Sequence, residues 1–149
     1  MMRMTKQADY AIVLMTYFAR SEPDLVLSAR DLANTAHLPI PTVTKLLKIM
    51  ARDGLLVSQR GLKGGYSLAR DANQITVAEV ITAIEGPIAI TQCSGNAAGC
   101  AKSERCPTQE NWSMIDKAVR DALNGISIAE MSRPLSHVPP VELVATIGG

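Results

Sequence analysis

Helical spacing of apolar residues governs most of the chain, with one short β-prone stretch set into it. Thr5 to about Phe18 has no Pro or Gly and is apolar round most of its circumference, through Ala8, Ala11, Ile12, Val13, Leu14, Met15 and Phe18. Its length favours a helix over a strand, and the missing polar face predicts burial on several sides. Pro23 and Asp24 mark a turn. Ser28 and Asp31 then have capping-box spacing ahead of Leu32, Ala33 and Ala36, which predicts a short second helix. Pro39 and Pro41 break the chain and can open a third, since proline is tolerated in a first turn. From about Thr42 to Asp53, Val43, Leu46, Leu47 and Met50 fall at i, i+3, i+4 and i+7 and make one apolar stripe. Thr44, Lys45, Lys48 and Arg52 project elsewhere, and Gly54 stops the helix.

Leu55–Gln59 and Tyr66–Ala69 are β-prone and flank Arg60-Gly61-Leu62-Lys63-Gly64-Gly65. That arrangement predicts a hairpin with a longer loop than the tight two-residue kind. Three helices and then a hairpin is the order of a winged helix-turn-helix domain. Thr76 and Glu79 form another capping box before Val77, Val80, Ile81 and Ile84, and Gly86-Pro87 ends that helix. Residues 88–107 lack periodicity and read as a loop, of a length that usually means function or disorder. Thr108 to Asn124 reads as the longest helix. Trp112, Ile115, Val119, Ala122 and Ile126 step along it by 3, 4, 3 and 4, a heptad seam able to pair with another helix. Beyond Ser132 come Pro134, Pro139, Pro140 and a Gly-Gly end, which predict a mobile tail. The expected fold is therefore mainly α: a winged helix-turn-helix domain over 1–86, a cysteine-bearing loop over 87–107, a dimerisation helix region over 108–132 and a tail over 133–149.

The chain has 149 residues, 47% of them hydrophobic, enough to build a core that one Phe, one Trp and three Tyr leave mostly aliphatic. No apolar run approaches 18 residues, so no membrane span is expected. Met1 to Gln7 leads into a helical pattern containing Asp9 without the plan of a signal peptide, which points to the cytoplasm. Charge changes the picture more. The formal net of +1 conceals ten Lys/Arg against five Asp/Glu in residues 1–70, and five against nine in residues 71–149. A basic first half seeks an anionic partner, and double-stranded DNA is the first candidate.

A helix-turn-helix places one helix in the major groove while its neighbour fixes the approach. The third helix has the needed division, with an aliphatic face to hold it down and a Thr/Lys/Arg face to present. Its candidates are Thr44 and Lys45 for base edges and Lys48 and Arg52 for phosphates, with Thr42 also in the DNA-binding set. Arg60 and Lys63 flank the hairpin tip, where a wing reaches the backbone or minor groove. The competing reading of each basic residue is a solvated helix face. No catalytic constellation competes: Gly61-x-x-Gly64-Gly65 lacks the order of a phosphate-binding loop, and His37 and His137 stand alone. A regulator is expected, not an enzyme.

Cys93, Cys100 and Cys106 are the only cysteines and fall within fourteen positions. Thiolates suit iron–sulfur clusters, zinc or Cu(I). Intervals of six and five residues match neither the paired cysteines of common zinc sites nor the ferredoxin run, and three thiolates leave a cluster one ligand short. Bare thiols acting as a redox switch, with Lys102 or Arg105 lowering a neighbouring pKa, remain an alternative.

The chain resembles the Rrf2-type iron–sulfur-binding repressors of bacteria, which include the regulators of the Isc and SUF assembly systems, the nitric-oxide-responsive NsrR and the iron-responsive RirA. The resemblance is nearest to the SUF-system branch. It rests on Met4-Thr-Lys-Gln-Ala-Asp-Tyr-Ala11, Leu32-Ala33, Val43-x-x-Leu46-Leu47 and Gly54-Leu55-Leu56. It continues through Arg60-Gly-x-x-Gly-Gly-Tyr-x-Leu-Ala69, Ile75-Thr-x-x-Glu-Val80 and the three cysteines ahead of Trp112, covering about residues 3–131. It implies a homodimer on a palindromic operator, with Cys93, Cys100 and Cys106 holding a [2Fe–2S] or [4Fe–4S] cluster. Control of cluster-assembly genes, or a nitric-oxide response at the same site, follows from the same likeness. Gln109 stands where the Isc regulator has a histidine, and the first cysteine interval is one residue longer than there. Asp9 matches the aspartate that completes the cluster across the dimer in the nitric-oxide-sensing relatives. Without that role, Asp9 simply favours the positive end of its helix dipole.

Overall fold

The computed structural model describes residues 3–90 and 107–133. Thr5 opens α1 (Lys6–Arg20) by accepting the Ala8 N–H at 3.2 Å through its hydroxyl. Ala8, Ala11, Ile12, Leu14, Met15 and Phe18 of α1 are buried, as the absence of a polar face required. The Ser28 cap forms as expected: its hydroxyl accepts the Asp31 N–H at 3.1 Å and opens α2 (Ala29–Ala36). His37 ends α2 in the left-handed region, φ 54°.

The third helix, α3 (Ile40–Arg52), begins two residues earlier than its apolar spacing suggested. Pro39 serves as its cap residue, and Pro41 lies in the first turn, where its missing N–H breaks no helical bond. Val43, Leu46, Leu47 and Met50 are fully buried. Each such side chain contributes about 1.5–3 kcal/mol on burial. That exceeds what a helix of this length can supply from propensity alone.

Strands β1 (Leu56–Gln59) and β2 (Gly65–Leu68) pair antiparallel, Leu56 opposite Leu68 and Gln59 opposite Gly65. A short bridge extends the hairpin: Leu27 and Tyr66 exchange main-chain bonds of 2.8 and 2.9 Å, which ties the segment before α2 to β2. One 3-10 turn (Ala72–Gln74) leads to α4 (Val77–Glu85), whose Thr76/Glu79 capping box is complete. Together these elements form a mainly helical fold with a two-stranded sheet.

The long helix is α5 (Gln109–Asn124). Gly125 follows it, so Ile126 stands past the helix end, where its carbonyl accepts the Val77 N–H at 2.9 Å. The expected seam therefore runs only from Trp112 to Ala122. A short α6 (Ile128–Met131) then returns the chain to the core beside α1, with Ile128 fully buried. This element was not anticipated, although Ser127 and Glu130 spell the same capping box as Thr76 and Glu79. The tail expected beyond Ser132 lies outside the described residues apart from Arg133, as does the cysteine loop from residue 91 to 106. Among the described residues no helix is long and apolar enough to cross a membrane.

Both capping boxes depend on ionised glutamates. Partial burial works to raise the Glu79 pKa, but the Thr76 N–H and hydroxyl and the Arg70 guanidinium, 2.8 Å away, bring it below its ordinary value. Glu130 is lowered chiefly by the Ser127 N–H. A carboxyl that binds its proton less tightly when folded stabilises the fold above the ordinary carboxylate range, and the gain disappears as pH falls through the depressed pKa. Glu79→Gln should therefore cost about 0.5–1 kcal/mol near neutrality. The deficit should close as pH approaches 3, measured by denaturant unfolding across pH.

Candidate nucleic-acid interface

Burial of the apolar stripe of α3 decides what its other side presents. Lys45 and Lys48 are exposed, Thr42 and Thr44 are half-buried, and the Arg52 side chain is 73% exposed. Helix α2 packs directly on α3, with the left-handed His37 turn between them, which is the helix-turn-helix arrangement. Arg52 has one surface contact, Nε to Asp53 Oδ1 at 3.3 Å. An exposed pair of this kind holds little and leaves most of the guanidinium available. Among the described residues Lys45, Lys48, Arg60 and Lys63 form no salt bridge. Four uncompensated cations on one helix and one loop favour phosphate.

The wing is held tightly where it turns. Gly61 has φ 116°, a conformation that side chains rarely adopt, and its carbonyl accepts the Gly64 N–H at 3.0 Å. At Gly65 a Cβ would lie 2.4 Å from the Leu27 carbonyl oxygen, so only glycine lets β2 approach the segment before α2. Arg60 and Lys63 are both exposed at this tip. Between them Leu62 stands wholly in solvent. The sequence reading passed over Leu62, and its signal was available: a large aliphatic residue in a glycine-rich turn, off the strand alternation and flanked by cations. It also passed over Arg30, exposed in the first turn of α2.

Asp9 is exposed in the first turn of α1, and its carboxylate has no hydrogen bond or ion pair among the described residues. The cap beside it is bound a second time, because Glu85 Oε1, at the end of α4, accepts the Thr5 N–H at 2.9 Å. Cys93, Cys100 and Cys106 lie outside the described residues, so their relation to Asp9 is a matter of sequence alone. No group of three or more ligand-type side chains gathers among the described residues. On α5, Trp112, Met114 and Ile115 are exposed and Val119 is half-buried, so the seam is uncovered within one chain.

Comparison with known proteins agrees with this architecture. Residues 4–134 match the family model Rrf2, described as iron-dependent transcriptional regulator. The HTH-type transcriptional regulator IscR of Yersinia enterocolitica is 32% identical over 130 residues, which cover 87% of this chain and 79% of that protein. Among solved structures, CymR of B. subtilis, the global cysteine regulator, superposes with a TM-score of 0.69 at 24% identity, covering 89% of this chain and 97% of CymR. IscR of T. potens does so with a TM-score of 0.67 at 24% identity, covering 87% and 85%. At that identity the two structures establish the fold, a winged helix.

Proposed function

The chain belongs to the Rrf2 family of transcriptional regulators, and from that premise we propose that it is a dimeric repressor whose hold on its operator follows the state of an iron–sulfur cluster. DNA-binding regulation comes with the family, and with it a regulator and not an enzyme. The finer reading rests above all on one observation: Lys45, Lys48, Arg60 and Lys63, which form no salt bridge among the described residues, belong to a chain that gathers all its cysteines into one segment.

In this reading Thr42, Thr44 and Lys45 read base edges from α3, Lys48, Arg52 and Lys63 hold phosphates, and Arg60 enters the minor groove. A base-reading contact discriminates by about 1–3 kcal/mol, whereas a phosphate contact weakens all sequences alike and carries about one unit of salt slope. Lys45→Ala should therefore lose affinity for operator more than for scrambled DNA. Lys48→Ala should lose both equally and flatten the salt slope. Equal losses for Lys45→Ala in titrations at several salt concentrations would make it a backbone contact.

A palindromic operator needs two copies of α3. The partner copy covers the Trp112/Ile115/Val119 stripe of α5 isologously, burying side chains that one chain leaves in water. The doubly substituted Ile115→Glu, Val119→Glu chain should sediment as a folded monomer and lose operator binding. A dimer of unchanged stability would remove the stripe from the interface.

The donor set suits a cluster. Cys93, Cys100 and Cys106 supply three soft ligands, and Asp9, exposed and without a partner among the described residues, is in this reading the fourth, given across the dimer. When bound, a cluster supplies a centre sensitive to oxidants and to iron supply, and a carboxylate ligand makes one iron the labile position. SUF-type assembly genes are the targets in this reading, which makes the regulator responsive to demand for the cofactor it carries. Anaerobically purified protein should be coloured and contain iron and sulfide. Asp9→Ala should fold and dimerise but show an altered spectrum and faster cluster loss. An unchanged spectrum and oxygen lability would exclude Asp9, and colourless protein that reads its operator in a thiol-dependent way would select the metal-free switch.

A further inference from the structure

Helix α5 leaves Trp112, Met114 and Ile115 exposed and buries a carboxylate. Asp116 is 1% exposed, while Trp112, Met114 and Ile115 on the same turns are 37, 66 and 43% exposed. Oδ1 of Asp116 accepts the Ile90 N–H at 2.8 Å, and Oδ2 is buried with no hydrogen-bond partner among the described residues. A carboxylate with one sealed, unpaired oxygen is a costly way to stabilise a helix, and an aliphatic residue would pack there without that penalty. Stability does not account for Asp116. Its bond does: Ile90 is the last described residue before the cysteine-bearing segment, and Cys93 is three residues further along the sequence.

We propose that Asp116 is a positioning residue, fastening the entry of the cysteine-bearing segment to the helix that carries the dimer seam. Ile115 precedes it directly, and Trp112 and Val119 lie one turn to either side, so the entry point and the seam occupy the same stretch of α5. A shift in the main chain at Ile90 is thereby felt at the level where two subunits meet. This goes beyond the ligand set: Asp116 touches the main chain, and its effect on the cysteines is through Ile90.

The proposal rests on the cysteine-sensing reading, and the test separates the two. Amide hydrogen exchange at Ile90 is followed in the full chain, unaltered and as Asp116→Asn and Asp116→Ala. Operator affinity is measured for iron-loaded and iron-stripped protein. Ile90 should be protected in the unaltered chain, exchange at least tenfold faster in Asp116→Ala and recover most of its protection in Asp116→Asn, which keeps the Oδ1 acceptor. The loaded-to-stripped affinity ratio should fall towards one in Asp116→Ala and be restored in Asp116→Asn, with sedimentation and binding to scrambled DNA unchanged. A freely exchanging Ile90 amide in the unaltered chain overturns the proposal, even where the alanine variant fails to fold. Retained protection or a full affinity ratio in Asp116→Ala overturns it too. If the unaltered protein takes up no iron, the cluster reading fails by itself; the same ratio is then taken between reduced and oxidised thiols, and Ile90 exchange decides the anchor as before.

Discussion

Burial of α1 on several sides is the constraint from which the rest of the DNA-binding half follows. The helix touches α2, α3, α4, α6 and β2, and these contacts require a surface without a charged face over its middle turns. Small residues at Ala8 and Ala11 allow close approach, and Leu14, Met15 and Phe18 fill what the neighbouring helices leave. Because α1 is shared, α3 cannot tilt independently of α4 or of the chain returning through α6. The recognition face is consequently presented by a block, not by a single docked helix. Interior packing of this density transmits small displacements instead of absorbing them.

The division of labour on α3 and the wing was legible because each depends on local chemistry. A stripe at Val43, Leu46, Leu47 and Met50 fixes both the helix and its buried side, and the capping pairs at Ser28 and Thr76 fix where helices begin. Glycines at the hairpin tip signalled the turn, though not the closeness of Gly65 to Leu27, which depends on a strand partner 38 positions earlier. The start of α3 lies two residues before the expected one because Pro39 takes the cap position, ahead of the apolar spacing that begins at Val43. Ile126 was placed on the seam because a heptad count continues through Gly125, whereas the main chain there turns to pair with Val77.

The candidate sensor was legible in a different way. The cysteines are a compositional fact, and Asp9 acquires meaning only through the resemblance. What no periodicity could disclose was Asp116. By spacing it is an ordinary polar residue beside the Trp112/Ile115/Val119 stripe, and its burial comes from chain outside α5. Sequence patterns describe one element's faces. They do not say which polar residue will meet a distant main-chain N–H.

Two polar contacts hold the chain just ahead of the cysteines and belong to different halves of the molecule. On the near side, Glu85 at the end of α4 binds the Thr5 cap of α1, so the chain leaves the winged domain at a point fixed to the first turn that carries Asp9. Five residues later, Asp116 holds Ile90 to α5. Between these two points the chain has only Gly86 to Ala89 in which to take up a relative movement, and Gly86, at φ 87°, is where its direction changes. At its other end α5 is held to the winged domain by the Val77 N–H on the Ile126 carbonyl, so this short connection is one of the ties between them. In the proposed reading this short connection lies in the chain between the elements that carry the basic face and the segment that carries the cysteines.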